Sequence, residues 1–315
     1  MDYIKRGANV GRKSARMSHH VIDYDRNQFY RIAFALRGTV LPHVMGRAGA
    51  LTLLCLALYG LDELVIKPSG GKLEPLDPLG HNVLGVALSM LIVFRTNSSN
   101  SRYWEARSHW GMLVNTTRSL VRMGAAYGDR AEDLARLVAA YVVQVREQLR
   151  GNKEVSHLRN LLTGRQIDRI KGVNNPASIL AGLMSEWIAE RVNSDRLNPV
   201  LATKMEELIS ILLDQQGGCE KILKTPLPFV YAALIKQALL FYLATLPFVL
   251  VPKMGVMAPL VVAGVSLVML GIEEAGVEIE CPFGLDPNHL PLEAICEMIG
   301  MDAVELARIA EQNNS

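Results

Sequence analysis

The sequence predicts an all-α integral membrane protein, and three observations carry that prediction. Half of the 315 residues are hydrophobic while only 6% are aromatic, and the mean hydropathy of +0.19 lies above the usual range of a soluble domain, so apolar residues must be concentrated somewhere. They are concentrated in four runs, Ala48–Ile66, Leu79–Phe94, Pro226–Val251 and Met254–Ile272. Between those runs, apolar–polar alternation never lasts more than a few residues, whereas helical spacing recurs. The balance of 33 Lys+Arg against 31 Asp+Glu, a net charge of +2, argues against a nucleic-acid binder and against an acidic disordered protein.

Taken in order, the first forty residues carry eight Lys or Arg and no long apolar stretch. They read as a basic arm to about residue 18 and then a short amphipathic segment, Phe29–Leu36, lying along a membrane surface; they do not have the form of a secretory signal. A spanning helix needs about 20 apolar residues. Ala48–Ile66, Pro226–Val251 and Met254–Ile272 qualify on that measure. Leu79–Phe94 is shorter and has a polar start at His81 and Asn82, so it spans only where protein or water shields that start. Arg95, Arg102, Arg107, Arg118 and Arg122 follow it closely, and the positive-inside rule therefore places both termini and the large middle region in the cytoplasm.

The predicted organisation is a basic arm and interfacial segment at 1–40, a first transmembrane pair at 41–94, a cytoplasmic helical region at 95–225, a second pair at 226–272 and a cytoplasmic tail at 273–315. In the middle region Ala131–Leu149 has helical spacing through Leu134, Leu137, Val138, Tyr141 and Val145. Asn175-Pro176 and Asn198-Pro199 mark breaks ahead of helices at Ala177–Val192 and Leu201–Leu213. A final helix is expected at about Leu292–Glu311.

Few residues offer chemistry. Cys55, Cys219, Cys281 and Cys296 are scattered, with no CxxC pair, and read as reduced thiols. His81, His109 and His289 lie far apart, and no HExxH, GxSxG, P-loop or GxGxxG fingerprint is present, so neither an enzyme, a cofactor nor a bound metal is expected. Glu273, Glu274, Glu278 and Glu280 read as a solvated helix end, and Lys236, a charge inside a span, as functional or paired. Val86, Met90 and Phe94 fall at i, i+4 and i+8 and make one narrow stripe. Such a stripe can pack against another helix or lipid; several copies around an axis would instead ring a passage that controls ions by dewetting.

The segment FRTNSSNSRYWEARSHWG, Phe94–Gly111, resembles the signature of the bestrophin family in its bacterial form. Three further motifs agree in order: GGCEKILKTPLPF at Gly217–Phe229, LPF at Leu246–Phe248 and CPFGLDPNHLPL at Cys281–Leu292. The resemblance covers roughly Tyr24–Met298. It implies a homopentameric channel of the bacterial inner membrane, with four transmembrane helices per subunit and one pore on the five-fold axis, passing small monovalent ions, chloride and other anions foremost. It also implies that Val86, Met90 and Phe94 form the pore neck, that Val200, counting back from GGCE, forms a cytoplasmic constriction, and that Lys236 packs against polar groups of a neighbouring subunit. Partners are then other copies of the chain, the lipid bilayer and the permeating ions. Some bacterial members of the family prefer sodium, and the non-aromatic Met90 keeps cation selectivity as an alternative; a membrane scaffold for a soluble partner is a remoter one. Animal members hold calcium in a clasp after PFG, where acidic residues crowd; here Leu285, Asp286, Pro287, Asn288 and His289 follow, too few oxygen ligands for such a site.

Overall fold

The computed structural model describes residues 27–313; the basic arm to residue 18 lies outside them. Among the described residues there is no strand. They form two compact units, one of residues 27–103 and 226–281, the other of residues 104–225 and 282–313.

In the first unit, α1 (Phe29–Ala33) is a five-residue helix that buries none of its side chains. It is shorter than the expected amphipathic segment. Helix α2 (Leu41–Leu61) begins seven residues before the expected apolar run, with Pro42 in its first turn, where a missing N–H costs nothing, and ends in a π-helical turn at Asp62–Ile66. Helix α3 (Pro78–Tyr127) is one uninterrupted helix of 50 residues, about 75 Å long at 1.5 Å per residue. The rise in polarity at Arg95 does not stop it, because no Pro follows before Tyr127 and the two glycines beyond Arg95, Gly111 and Gly124, are isolated.

The remaining helices of this unit come later in the chain. They are α8 (Phe229–Met254) and α9 (Ala258–Glu280), joined by a 3-10 turn at Gly255–Met257. Gly255 has φ of 53°, a left-handed setting that glycine takes without a Cβ penalty, and α8 and α9 pack on each other from there. Val44, Ala48, Leu51 and Cys55 of α2, at i, i+4, i+7 and i+11, meet Leu88 and Ile92 of α3, Leu239 and Leu243 of α8 and Val262 of α9 in one core.

Three helical stretches are long and apolar enough to cross a bilayer, Leu41–Ile66, Pro78–Tyr127 and Phe229–Glu280, the last being α8 and α9 together. In each, at most 28% of the most apolar window is buried within the chain. A soluble helix of that composition would hide most of it, so these surfaces belong against lipid or other protein.

The second unit is built from the C-terminal part of α3 with α4 (Ala131–Leu149), α5 (Gly164–Ile170), α6 (Pro176–Asn193), α7 (Pro199–Lys224) and α10 (Leu292–Asn313). Helix α4 lies at its centre, packed on α10, α6 and α7. The Asn-Pro pairs start two of these helices in the same way, Asn175 and Asn198 capping the first free N–H groups and Pro filling the first helical position. Asn175 does more than cap. Its Oδ1 accepts from Ser178 N–H at 3.1 Å, from Gln148 Nε2 of α4 at 3.0 Å and from Gln216 Nε2 of α7 at 3.1 Å, so one side chain ties three helices. Tyr141 is fully buried and donates its hydroxyl to the Leu212 carbonyl at 2.9 Å; burial raises its pKa and keeps that donor protonated. Burial likewise pushes the Cys219 and Cys296 thiols up to about 12, so neither is a reactive thiolate.

Candidate functional site

Successive residues of an α-helix are about 100° apart around the axis, and that spacing sorts the membrane-facing half of α3 into two stripes. Gly85, Leu88, Ile92, Arg95 and Ser99 are buried, at intervals of three and four residues. The centre of the Val86–Met90–Phe94 stripe lies about half a turn from the centre of that buried one. Accordingly Val86, Met90 and Phe94 are 73%, 61% and 51% exposed on the single chain, while Leu88 and Ile92 face the core. An apolar face held away from its own subunit's core is what a helix offers to an axis or to lipid.

The packing behind the stripe is close. A Cβ at Gly85 would come within 3.1 Å of the Tyr242 ring, so a larger residue there would require that ring of α8 to give way. One turn earlier the His81 imidazole stacks on the same ring, centroids 4.2 Å apart and planes 17° from parallel.

At its C-terminal end the buried stripe becomes ionic. Arg95 and Glu273 are 3% and 2% exposed, and the guanidinium Nη1 donates to the Glu273 carboxylate. Nη2 lies 3.4 Å from Glu280 Oε2. Glu280 Oε1 accepts from the Leu227 N–H at 3.0 Å, and its carbonyl accepts from Arg102 Nε at 3.2 Å. Glu274 accepts from Arg47 of α2 at 2.7 Å. This corrects the expectation of a solvated carboxylate cluster: Glu273 is buried, and Glu274 and Glu280 are paired. Helix α9 runs past the apolar stretch through these carboxylates to Glu280. Lys236, expected to pack against a neighbour's polar groups, has its Nζ 3.8 Å from Glu273 Oε1 of its own chain.

Val200 belongs to the second unit, at the start of α7. Its backbone N–H is capped by Asn198 Oδ1 at 2.8 Å, and its side chain is 71% exposed. In the same unit the GGCE motif has a steric meaning. A Cβ on Gly218 would overlap the His109 imidazole of α3, whereas one on Gly217 would meet nothing within 4 Å. His109 Nδ1 donates to Gln215 Oε1 at 2.8 Å, and Glu105, 3.9 Å from its Nε2, accepts from Lys221 at 2.8 Å. The PFG loop is held by Arg150 of α4, which donates to the Phe283 carbonyl at 3.2 Å, lies 3.4 Å from the Gly284 carbonyl and pairs with Glu293. Burial works against the charge on Glu293, but the Arg150 hydrogen bonds outweigh it and hold that carboxyl below its ordinary pKa. Neither the Arg95 network nor the His109–Gly218 contact was apparent from sequence; the only signal was the presence of Arg, Glu and His at positions where a polar residue is costly.

Residues 21–305 match the family model of the bacterial and fungal bestrophin proteins. The chain is a bestrophin. It therefore belongs to an ion-channel family of membrane proteins. A protein of Nostoc named as a voltage-dependent anion channel-forming protein is 35% identical over 294 residues, 90% of this chain and 94% of that one. A Salmonella typhi protein with the same description is 30% identical over 285 residues, 89% and 92% of the two chains. The crystal structure of a bacterial bestrophin homologue from Klebsiella pneumoniae superposes with a TM-score of 0.77 at 26% identity, covering 84% of this bestrophin and 98% of that chain. The all-helical fold is thus that of solved bestrophins.

Proposed function

We propose that this bestrophin is a homopentameric channel of the bacterial inner membrane that conducts small monovalent anions, chloride foremost. Each subunit crosses the membrane four times through α2, α3, α8 and α9, with both termini in the cytoplasm. The permeation path runs through a neck of Val86, Met90 and Phe94 and a second, cytoplasmic constriction at Val200. The observation that carries the reading is the exposed apolar stripe of α3, set opposite the stripe that packs into its own subunit. A ring of such faces excludes water when narrow and passes ions when wide, without binding them tightly. The sign of the ion is supported by relatives named as anion channel-forming proteins, since Val, Met and Phe carry no charge to select by.

The test is the reversal potential of the purified protein in a planar bilayer under a NaCl gradient. A value near the chloride equilibrium potential is expected. A value near the sodium equilibrium would make it a cation channel and direct attention to Met90, and a pentamer without current would make it a scaffold. At the second constriction, Val200→Ala should mildly change the permeability of a large anion relative to chloride, by about twofold, because a shorter side chain widens the ring. An unchanged ratio removes Val200 from the path.

A further inference from the structure

We propose that Arg95 is a positioning residue of the permeation path: paired inside the first unit with Glu273 and Glu280, it fixes the rotation of α3 about its axis and so the direction in which Phe94 points. The inference rests on the channel reading above and extends it to what holds the lining helix in register.

Arg95 follows Phe94 directly, so the two side chains are about 100° apart on a rigid helix and one cannot turn without the other. Phe94 is half exposed, while Arg95 is buried with its two terminal nitrogens committed to carboxylates of α9. The remainder of the buried stripe is different in kind. Leu88 and Ile92 make apolar contacts, which are non-directional and permit small rotations at little cost. A guanidinium between two carboxylates has a fixed fork geometry and does not. Glu280 extends the constraint, because it also takes the Leu227 N–H ahead of α8 and Arg102 two turns further along α3. Stability alone is a poor reason for burying these charges, since desolvation offsets most of the attraction and well-packed apolar replacements are often as stable. Direction is what the ionic pair adds.

The effect on permeation is large for a small motion. A rotation of about 20° carries a side-chain tip about 5–6 Å from the helix axis through about 2 Å, and a symmetric ring repeats that displacement in every subunit.

The experiment compares the permeability of chloride with that of methanesulfonate, a larger monovalent anion, from bi-ionic reversal potentials of the purified channel. If the wild type selects cations, sodium and tetramethylammonium replace them. The Arg95→Met/Glu273→Met double variant removes the two buried charges and keeps side-chain volume, while the partly exposed Glu280 keeps the Leu227 N–H and Lys236 stays open to its surroundings. It should assemble and melt near the wild type, yet shift the permeability ratio by about threefold or more, as expected for a resized apolar ring. A wild-type ratio in the assembled double variant overturns the inference. Should that variant fail to assemble, Arg95→Lys decides it: lysine keeps the charge but as a single point that cannot fork to both carboxylates. It should move the ratio in the same direction as increased side-chain freedom at Phe94, and an unchanged ratio overturns the inference. A wild type without current overturns the channel reading itself, whereas a conducting wild type with unaltered variants overturns only the role of Arg95.

Discussion

Replacing Val86, Met90 and Phe94 together with alanine should raise unitary conductance several-fold and weaken discrimination between monovalent ions of different size. All three side chains project from the face of α3 opposite its packed stripe, so their truncation opens no cavity in the subunit core. The change is expected in the passage: an apolar ring holds back ions because water leaves it, and each shortened side chain widens the ring and lowers the cost of keeping it wet. Single-channel recording of the assembled variant measures this directly. Wild-type conductance would place the pore elsewhere and leave the stripe as a lipid-facing or helix-packing surface.

The second large effect is expected in the second unit. Gly218→Ala should destabilise the protein by about 1–3 kcal/mol, the range of overpacking in a filled core, because the new methyl group would occupy the space of the His109 ring. The ring can leave only by giving up its hydrogen bond to Gln215. His109→Ala in the same chain should recover much of the loss, since the two substitutions act on one contact and are not additive. Gly217→Ala is the internal comparison. It sits in the same helix with open space around it, and alanine there should be neutral or stabilising by up to about 1 kcal/mol through helix propensity alone. Thermal melting of the detergent-solubilised protein separates the three. Equal effects at Gly217 and Gly218 would show that propensity, not the His109 contact, governs the motif.

What sequence discloses here follows from how far apart the interacting residues lie. The stripe on α3 is readable because i, i+4 and i+8 positions are neighbours on a helix whatever surrounds it. The Asn-Pro helix starts are readable because cap and backbone interact within three residues. Arg95 and Glu273 are 178 positions apart, and a carboxylate at the end of an apolar run has the same local sequence whether water or an arginine meets it. Glu273 therefore reads as solvated until its partner is known. Gly218 is legible as one of a pair of glycines and no more, because the ring that requires it comes from α3.

Arg150 gives the PFG loop an independence that a dissolved ion could not. It is a cation carried on the same chain as the carbonyls of Phe283 and Gly284 and the carboxylate of Glu293. Its local concentration is set by the fold rather than by the surroundings, so it cannot be diluted, chelated or outcompeted while α4 and the loop remain folded. An arginine also keeps its charge across the physiological pH range. The shape of this loop is thus held by a cation that the chain itself supplies.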